Sequence, residues 1–420
     1  MPTSLTDQYL AELAARARGE TATAVEIVDS LLSSAQVAGA SDVHIILDSG
    51  GSQVCWRIDG VLHEVTRIGA EIAPNVVARL KVLAELLTYR TEVPQEGRVR
   101  HTQVSAGSKS KQTEPQEPLA GSDQMVEMRL STFPTLYGEK AVVRLFVGSG
   151  AFRRLDQLGL PAEICSGLGD LLLESGGVIL VCGPAGSGKT TTIYAALREV
   201  VDKSRGERSL VSLEDPIEAV VSGVAQSQVN PAAGFDYETG LKSLMRQDPE
   251  VILVGEIRDR LTAETVFQAA LTGHLVLTTF HAASAAGAVC RLSDMGIEPY
   301  LLRTGVLGIV AQRLVRKLCE CSLEASSEED RLGLDVSLCR VPVGCEKCRS
   351  TGYSGRLLLA ELLRPEGDLG RAILSRSDAD ELESLAVESG MKTRWTNACE
   401  AVEAGLTSPA EVRRVFGFSK

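Results

Sequence analysis

The spacing of apolar residues divides the chain into stretches of different character. In "VEIVDSLLSSAQVAG" the residues Val25, Val28, Leu31, Leu32 and Ala35 recur at helical spacing, so residues 1–36 read as a helical N-terminal segment. Strand-like pieces follow: "DVHIILD", "QVCWRIDG" and "VLHEVTRI". "PNVVARLKVLAELL" then reads as a helix with Pro74 at its start. Residues 104–123, "VSAGSKSKQTEPQEPLAGSD", have no aromatic residue and nothing to bury, and read as a mobile insertion inside a domain. Strands resume with "QMVEMRLSTF" and "EKAVVRLFV". This predicts an α+β domain over 37–148 and a linker over 149–160.

Beyond the linker the pattern changes. The runs "GVILVCG", "SLVSLED", "EVILVGE" and "HLVLTTFH" are apolar almost without a break and are separated by helical stretches. Continuous runs of this kind predict parallel strands buried on both faces, here in an α/β domain over 161–365. A cysteine-bearing insertion, 319–348, precedes the strand "GRLLLAELL". Residues 366–420 alternate helical stretches with turns.

Composition narrows the classes. A formal net charge of −12 makes the chain a poor general binder of nucleic acid. Nothing reads as a signal peptide or a transmembrane helix, which predicts a cytoplasmic protein. Of the ten cysteines, five fall between Cys319 and Cys348, and clustering in that compartment points to a metal site more than to disulfides. Cys345 and Cys348 have the spacing of a zinc pair. Cys319 and Cys321 are only two apart, a less common spacing, and Cys339 could replace one ligand. The competing reading is a cysteine-rich loop without a metal.

The chemistry concentrates in "GPAGSGKTT": Gly183, Pro184, Ala185, Gly186, Ser187, Gly188, Lys189, Thr190 and Thr191. A strand precedes it and a helix follows, the context a phosphate loop requires. Its backbone N–H groups would cradle ATP phosphates, Lys189 would meet the outer ones, and the Thr190 hydroxyl would hold Mg²⁺. "SLEDPIE" brings Glu214 and Asp215 to a strand end, with Glu214 a candidate for Mg²⁺ through water. "VILVGEIRD" ends in Glu256, a candidate to orient or deprotonate the attacking water. "TGHLVLTTFH" carries His274 and His281 at its two ends, and His281 could sense the γ-phosphate. Arg129 and Arg144 lie on strands of the first domain, where an arginine is either a solvated charge or a finger for phosphate held elsewhere.

From about residue 23 to 417 the sequence resembles the type II secretion and type IV pilus assembly ATPases, the GspE/PilB-like group. "ASDVHI", "RIDGVL", "RLKVLAEL", "RLSTFPTLYGEKAVVRL", "GPAGSGKTTTIY", "SLEDPIE", "LMRQDPEVILVGEIRD", "TGHLVLTTFHAASA", "RLSDMGIEPYLL", "AQRLVRKLC" and "GCEKCRSTGYSGR" carry the resemblance. It implies a RecA-like core behind a smaller, PAS-like α+β domain. It also implies an aspartate box at Ser212–Glu218, a Walker B element ending at Gly255-Glu256, a histidine box at Thr272–His281 and interdomain arginines at Arg129 and Arg144. The function implied is ATP hydrolysis by a homo-hexamer at the cytoplasmic face of the inner membrane. That ring would drive pilin-like subunits through a membrane-embedded platform protein. Larger members carry a further N-terminal docking domain, whereas only some 35 residues precede "ASDVHI" here. Alternatives are a retraction motor or a conjugation-type secretion ATPase and, in other classes, a nucleic-acid translocase or a non-hydrolysing scaffold. Intact Lys189, Thr190, Glu214 and Glu256 speak against the scaffold.

Overall fold

A computed structural model of the 420-residue chain describes residues 23–100, 127–145, 154–325 and 327–418. The polar insertion 104–123, residues 1–22 of the N-terminal segment and residues 149–153 of the linker lie outside the described residues. The chain divides into two compact units, residues 1–148 and 149–420.

In the first unit, helix α1 (Ala24–Val37) starts at a capping box in which Thr23 and Glu26 satisfy each other's backbone N–H groups. Its buried stripe is Ile27, Val28, Leu31, Leu32 and Ala35. Val25, expected on this stripe, is 43% exposed: the 27/28–31/32–35 spacing rotates it to the margin and Ile27 takes its place. Strands β1 (Asp42–Asp48), β2 (Gly51–Ile58), β3 (Val61–Gly69), β4 (Gln95–Arg100), β5 (Glu127–Thr135) and β6 (Gly138–Leu145), with helix α2 (Ala73–Leu83), complete the unit. The six strands form a sheet in the order β3-β2-β1-β6-β5-β4. Every neighbouring pair in it is antiparallel. Strand β4, "QEGRVR", has no continuous apolar run, and periodicity does not reveal it. Alternate residues of the sheet, among them Val43, Val99, Met128, Leu130 and Val143, pack against Val28, Leu31, Val76 and Leu80 of the helices. Lys81, fully buried on α2, donates to both carboxylate oxygens of Glu139 on β6, at 2.8 and 2.9 Å, and to the Arg90 carbonyl. A buried ion pair of this kind is by itself weak evidence of stabilisation, since desolvation offsets the attraction.

The second unit is built on a seven-stranded sheet in the order β15-β12-β7-β11-β10-β8-β9. Its strands are β7 (Gly177–Cys182), β8 (Leu210–Glu214), β9 (Ala225–Gln228), β10 (Val251–Val254), β11 (Leu275–Phe280), β12 (Val306–Leu318) and β15 (Tyr353–Leu363). All pairs are parallel except β12 with β15. Every residue of β7, β10 and β11 is buried, which is why their sequences do not alternate. Helices α3 (Ala162–Leu171) and α4 (Lys189–Ser204) cover one face of the sheet. Helices α5 (Tyr237–Leu244), α6 (Arg260–Leu271), α7 (Ala285–Asp294) and α8 (Pro299–Gly305) cover the other. A short ladder, β13 (Leu323–Glu324) with β14 (Arg340–Val341), lies within the cysteine-bearing insertion. The C-terminal helices are α9 (Gly367–Leu374), α10 (Ala379–Glu388), α11 (Arg394–Glu403) and α12 (Pro409–Phe416). Among the described residues no helix is long and apolar enough to cross a membrane.

Candidate active site

Because β7, β11, β10 and β8 are parallel and adjacent, their C-terminal ends meet at one edge of the sheet. In a sheet of this kind that edge is where ligands bind. It brings together the phosphate loop after Cys182, His281 after Phe280, Glu256 after Val254, and the Glu214–Asp215 corner.

The loop turns sharply at Gly183, where φ is +150°. A Cβ there would lie 2.5 Å from the Gln312 carbonyl oxygen and from Ser187 Oγ, so only glycine lets the loop pass this close to β12. Lys189 opens α4 and folds back, its ammonium donating to the carbonyls of Gly183 and Pro184, each at 2.9 Å. Burial pulls its pKa down, while the Glu256 carboxylate acts the other way. Thr190 and Thr191 follow in the first turn of α4.

Glu256 stands across from the loop. Its Oε2 lies 3.5 Å from His281 Nε2, and its Oε1 pairs with Arg258. Arg258 also reaches Asp215 Oδ2, at 3.2 Å, so one guanidinium bridges two acids at the edge. Thr279 donates to the Gly255 carbonyl at 2.7 Å and holds the strand end in place. The glycine before the acid has a steric cause: a Cβ on Gly255 would stand 2.8 Å from the Tyr237 hydroxyl. His281 has its pKa lowered by burial first, then by the Lys189 charge, with Glu256 opposing. Burial and the Lys189 charge both favour the neutral imidazole, which can donate or accept a hydrogen bond at this edge.

Glu214 is placed differently from expectation. It is buried, Tyr194 donates to its Oε2, and its Oε1 accepts from Ser212 at 2.5 Å and from Gln226 at 3.0 Å. Three of its roughly four lone-pair positions are thus taken, which leaves about one, on Oε2, for a water-linked Mg²⁺. The acid that faces Glu256 through Arg258 is its neighbour Asp215. His274 is not brought to this edge. It precedes β11, its backbone carbonyl accepts from Gly177 at the start of β7, and its Nδ1 sits 2.9 Å from the Ala269 carbonyl and 3.0 Å from Thr272 Oγ1. The strand between His274 and His281 separates them by roughly 20 Å at about 3.3 Å per residue.

Arg129 and Arg144 belong to the first unit, where they face each other directly across β5 and β6. Arg98 opposes Arg129 from β4, Asp42 opposes Arg144 from β1, and Arg57 opposes Asp42 from β2. Direct cross-strand partners share a face, so one rank of four arginines and an aspartate crosses five strands on the side away from the helices. Asp42 is held between Arg144 Nε at 3.2 Å and Arg57 Nε at 3.4 Å.

The insertion gathers Cys319, Cys321, Cys345 and Cys348 so that all four sulfurs lie within 4.8 Å of one another. The sulfur–sulfur separations of 3.9 Å for 319–345, 3.8 Å for 321–348 and 3.7 Å for 345–348 match the edge of a tetrahedron around a metal with about 2.3 Å bonds to sulfur. Burial opposes ionisation of Cys348, yet N–H donors from Cys345 and Gly352 and the neighbouring thiols pull its pKa down to about 6. Cys339 is not brought in; it is buried among Val315, Leu334 and Val336.

Two contributors escape a sequence reading. Arg258 stands two residues after Glu256 within a motif noted for its acids. Gln312 is an amide in the middle of an apolar strand. Fully buried, it donates to the Ser187 carbonyl at 2.8 Å and accepts from the Thr192 hydroxyl at 3.0 Å, bracing the phosphate loop from β12. Its uncharged amide beside Arg313 in the otherwise apolar "GIVAQRLV" is the signal for it.

A parallel sheet with a phosphate loop on one strand and an acid and a histidine on the next two defines a RecA-like nucleotide hydrolase. The described family "Type II/IV secretion system protein" matches residues 18–414, and the chain belongs to it. Type II secretion system protein E of Pectobacterium carotovorum subsp. carotovorum is 39% identical over 93% of this chain and 75% of its own length. The type IV pilus assembly ATPase TfpB of Acinetobacter baylyi is 38% identical over 93% of this chain and 65% of its own. Among solved structures, the ATPase DotB of Yersinia pseudotuberculosis superposes with a TM-score of 0.66 at 22% identity, covering 94% of each chain. The pilus retraction motor PilT with bound ADP gives 0.58 at 23%, covering 92% of this chain and 96% of that one. At such identities these two speak for the fold. The chain is an ATP hydrolase of the secretion and pilus ATPase family.

Proposed function

We propose that this ATPase is the motor of a type II secretion pseudopilus or a type IV pilus, working as a homo-hexamer on a membrane-embedded platform protein at the cytoplasmic face of the inner membrane. The observation that supports this reading best is the meeting of the phosphate loop, Glu256 and His281 at one sheet edge, in a chain 37–39% identical to type II secretion E proteins and pilus assembly ATPases. The loop fits ATP: its glycine corner leaves no room for a side chain and Lys189 stands ready beside it. Mg²⁺, held by the Thr190 hydroxyl, would supply charge neutralisation for the phosphates. Glu256 takes the proton of the attacking water or orients it, with Arg258 and His281 fixing its carboxylate. His281 reports on the phosphate that leaves. Glu214 holds the Asp215 corner against α4 through Tyr194. Arg129 and Arg144 present positive charge on a separate unit, suited to phosphate carried by the second unit of the same chain or of a neighbour. The four thiols of the insertion would hold a structural Zn²⁺ that ties its two limbs together.

The test is phosphate release by the full chain with Mg-ATP, with and without double-stranded DNA, alongside pull-down of the platform protein from the native operon. Platform-stimulated hydrolysis indifferent to DNA is expected. Stimulation by DNA without effect of the platform protein would replace the reading with a nucleic-acid motor.

A further inference from the structure

Two buried carboxylates among the described residues, Glu361 and Glu411, remain outside this account. Glu361, on β15, is 1% exposed. It stands opposite Ala311 of β12, which in turn stands opposite Cys182, the residue before the phosphate loop. Its two oxygens serve two different helices. Oε1 accepts from the backbone N–H of Ala285, the first residue of α7, at 2.9 Å. Oε2 accepts from the backbone N–H of Arg394, the first residue of α11, at 3.0 Å, and lies 3.1 Å from Arg394 Nε. The N-terminus of a helix carries partial positive charge and free N–H groups, so a carboxylate shared by two such ends draws both toward itself.

What α7 carries on its other side gives this arrangement its meaning. Only residues 282–284 separate His281 from α7. That short link is pinned further: Ser284 caps α7 by accepting from Gly287, its carbonyl accepts from the Cys182 thiol at 3.7 Å, and Arg291 of α7 donates back to the His281 carbonyl. The position of α7 therefore sets the position of His281. On the other side, Arg394 begins the helix whose Asn397 donates to the Ala360 carbonyl at 2.7 Å, so α11 is stitched to β15 next to Glu361.

We infer that Glu361 is a positioning residue for the histidine loop, and that with Arg394 it makes the placement of His281 depend on the seating of the C-terminal helices. The inference rests on the proposed role of His281. Glu361 touches neither the phosphate loop nor the acids, so its loss should act on turnover and leave nucleotide affinity in place. A buried charge pair is costly to assemble, and an apolar pair would pack β15 against α11 as well. The pair joins two helix ends where packing alone would join surfaces.

A double-mutant cycle on the full chain tests this. Glu361→Gln keeps the shape of the side chain and an oxygen for Ala285 but removes the charge that holds Arg394. Arg394→Lys keeps the charge with a shorter, single-headed reach and carries the test should the first variant fold poorly. Each is combined with His281→Ala, and kcat is measured beside the Kd of a fluorescent ATP analogue. The expected result is a kcat lower by about tenfold with Kd within about twofold, and no further loss when either substitution is added to His281→Ala. The same loss in both backgrounds, or no loss in the single variants, overturns the inference. A wild-type rate in His281→Ala alone overturns the role of the histidine, and the inference with it.

Discussion

Strand β12 runs past two sites of opposite construction. Beside its middle, at Ala311 and Gln312, lies the phosphate loop, a single run of nine residues. Past its end at Leu318 lies the thiol cluster, assembled from two segments that the insertion brings back together. The loop is made mostly of backbone, and glycine geometry gives it shape. The thiol cluster is made of side chains, and the fold must deliver each one. A site of the first kind shows in sequence because its residues are neighbours. A site of the second kind shows only as far as the spacing of each half is familiar.

This difference predicts how each site fails. The largest effect belongs to the loop: Lys189→Ala should abolish measurable ATP binding by calorimetry, since one residue supplies the main cation. Unchanged affinity would mean that the loop does not hold the phosphates. Arg144→Ala comes next, with ATP bound nearly normally and turnover lower by about 10³-fold or more, as for an arginine that acts in the transition state. An unchanged rate would return Arg144 to a partner of Asp42 and nothing more. Glu256→Gln should lower the single-turnover rate by roughly 10²–10⁴-fold while ATP stays bound, because the amide cannot accept the proton. A wild-type rate would move the base to Asp215. The smallest effect on turnover belongs to the other site. Cys321→Ser should remove zinc, measured by mass spectrometry of the protein, and lower the melting temperature with kcat changed less than about twofold, whereas Cys339→Ser should leave the metal in place. Loss of metal from the Cys339 variant alone would put that residue in the ligand set.

The same contrast explains what was legible beforehand. The four apolar runs of the parallel sheet, the phosphate loop and the acid-bearing strand ends could be read because each is continuous. β4 and β9 could not: "QEGRVR" and "AQSQ" owe their strand character to neighbours in the sheet, not to their own residues. β12 contains the polar Gln312 and two arginines, which mask an otherwise buried strand. Glu214 and Asp215 are adjacent in sequence, yet one is sealed against Tyr194 and the other faces Arg258, a distinction set by which side of the strand end each occupies. His274 and His281 look equivalent along the chain and stand at opposite ends of a strand. The thiol cluster was legible as a set of five candidates; the return path of the insertion decides that Cys339 stays in the apolar core.

The rank of Arg57, Asp42, Arg144, Arg129 and Arg98 has a consequence for handling the protein. Only Arg144 with Arg129 and Arg129 with Arg98 set like charges directly opposite each other, with Cβ atoms about 5 Å apart, inside the screening length of about 8 Å at physiological ionic strength. A multivalent oxyanion lying beside them would offset such repulsion more than monovalent salt does. If Arg129 and Arg144 act on nucleotide phosphate as proposed, phosphate and sulfate buffers compete with it for their guanidinium groups. On that reading, rates measured in them would report the competition as well as the chemistry.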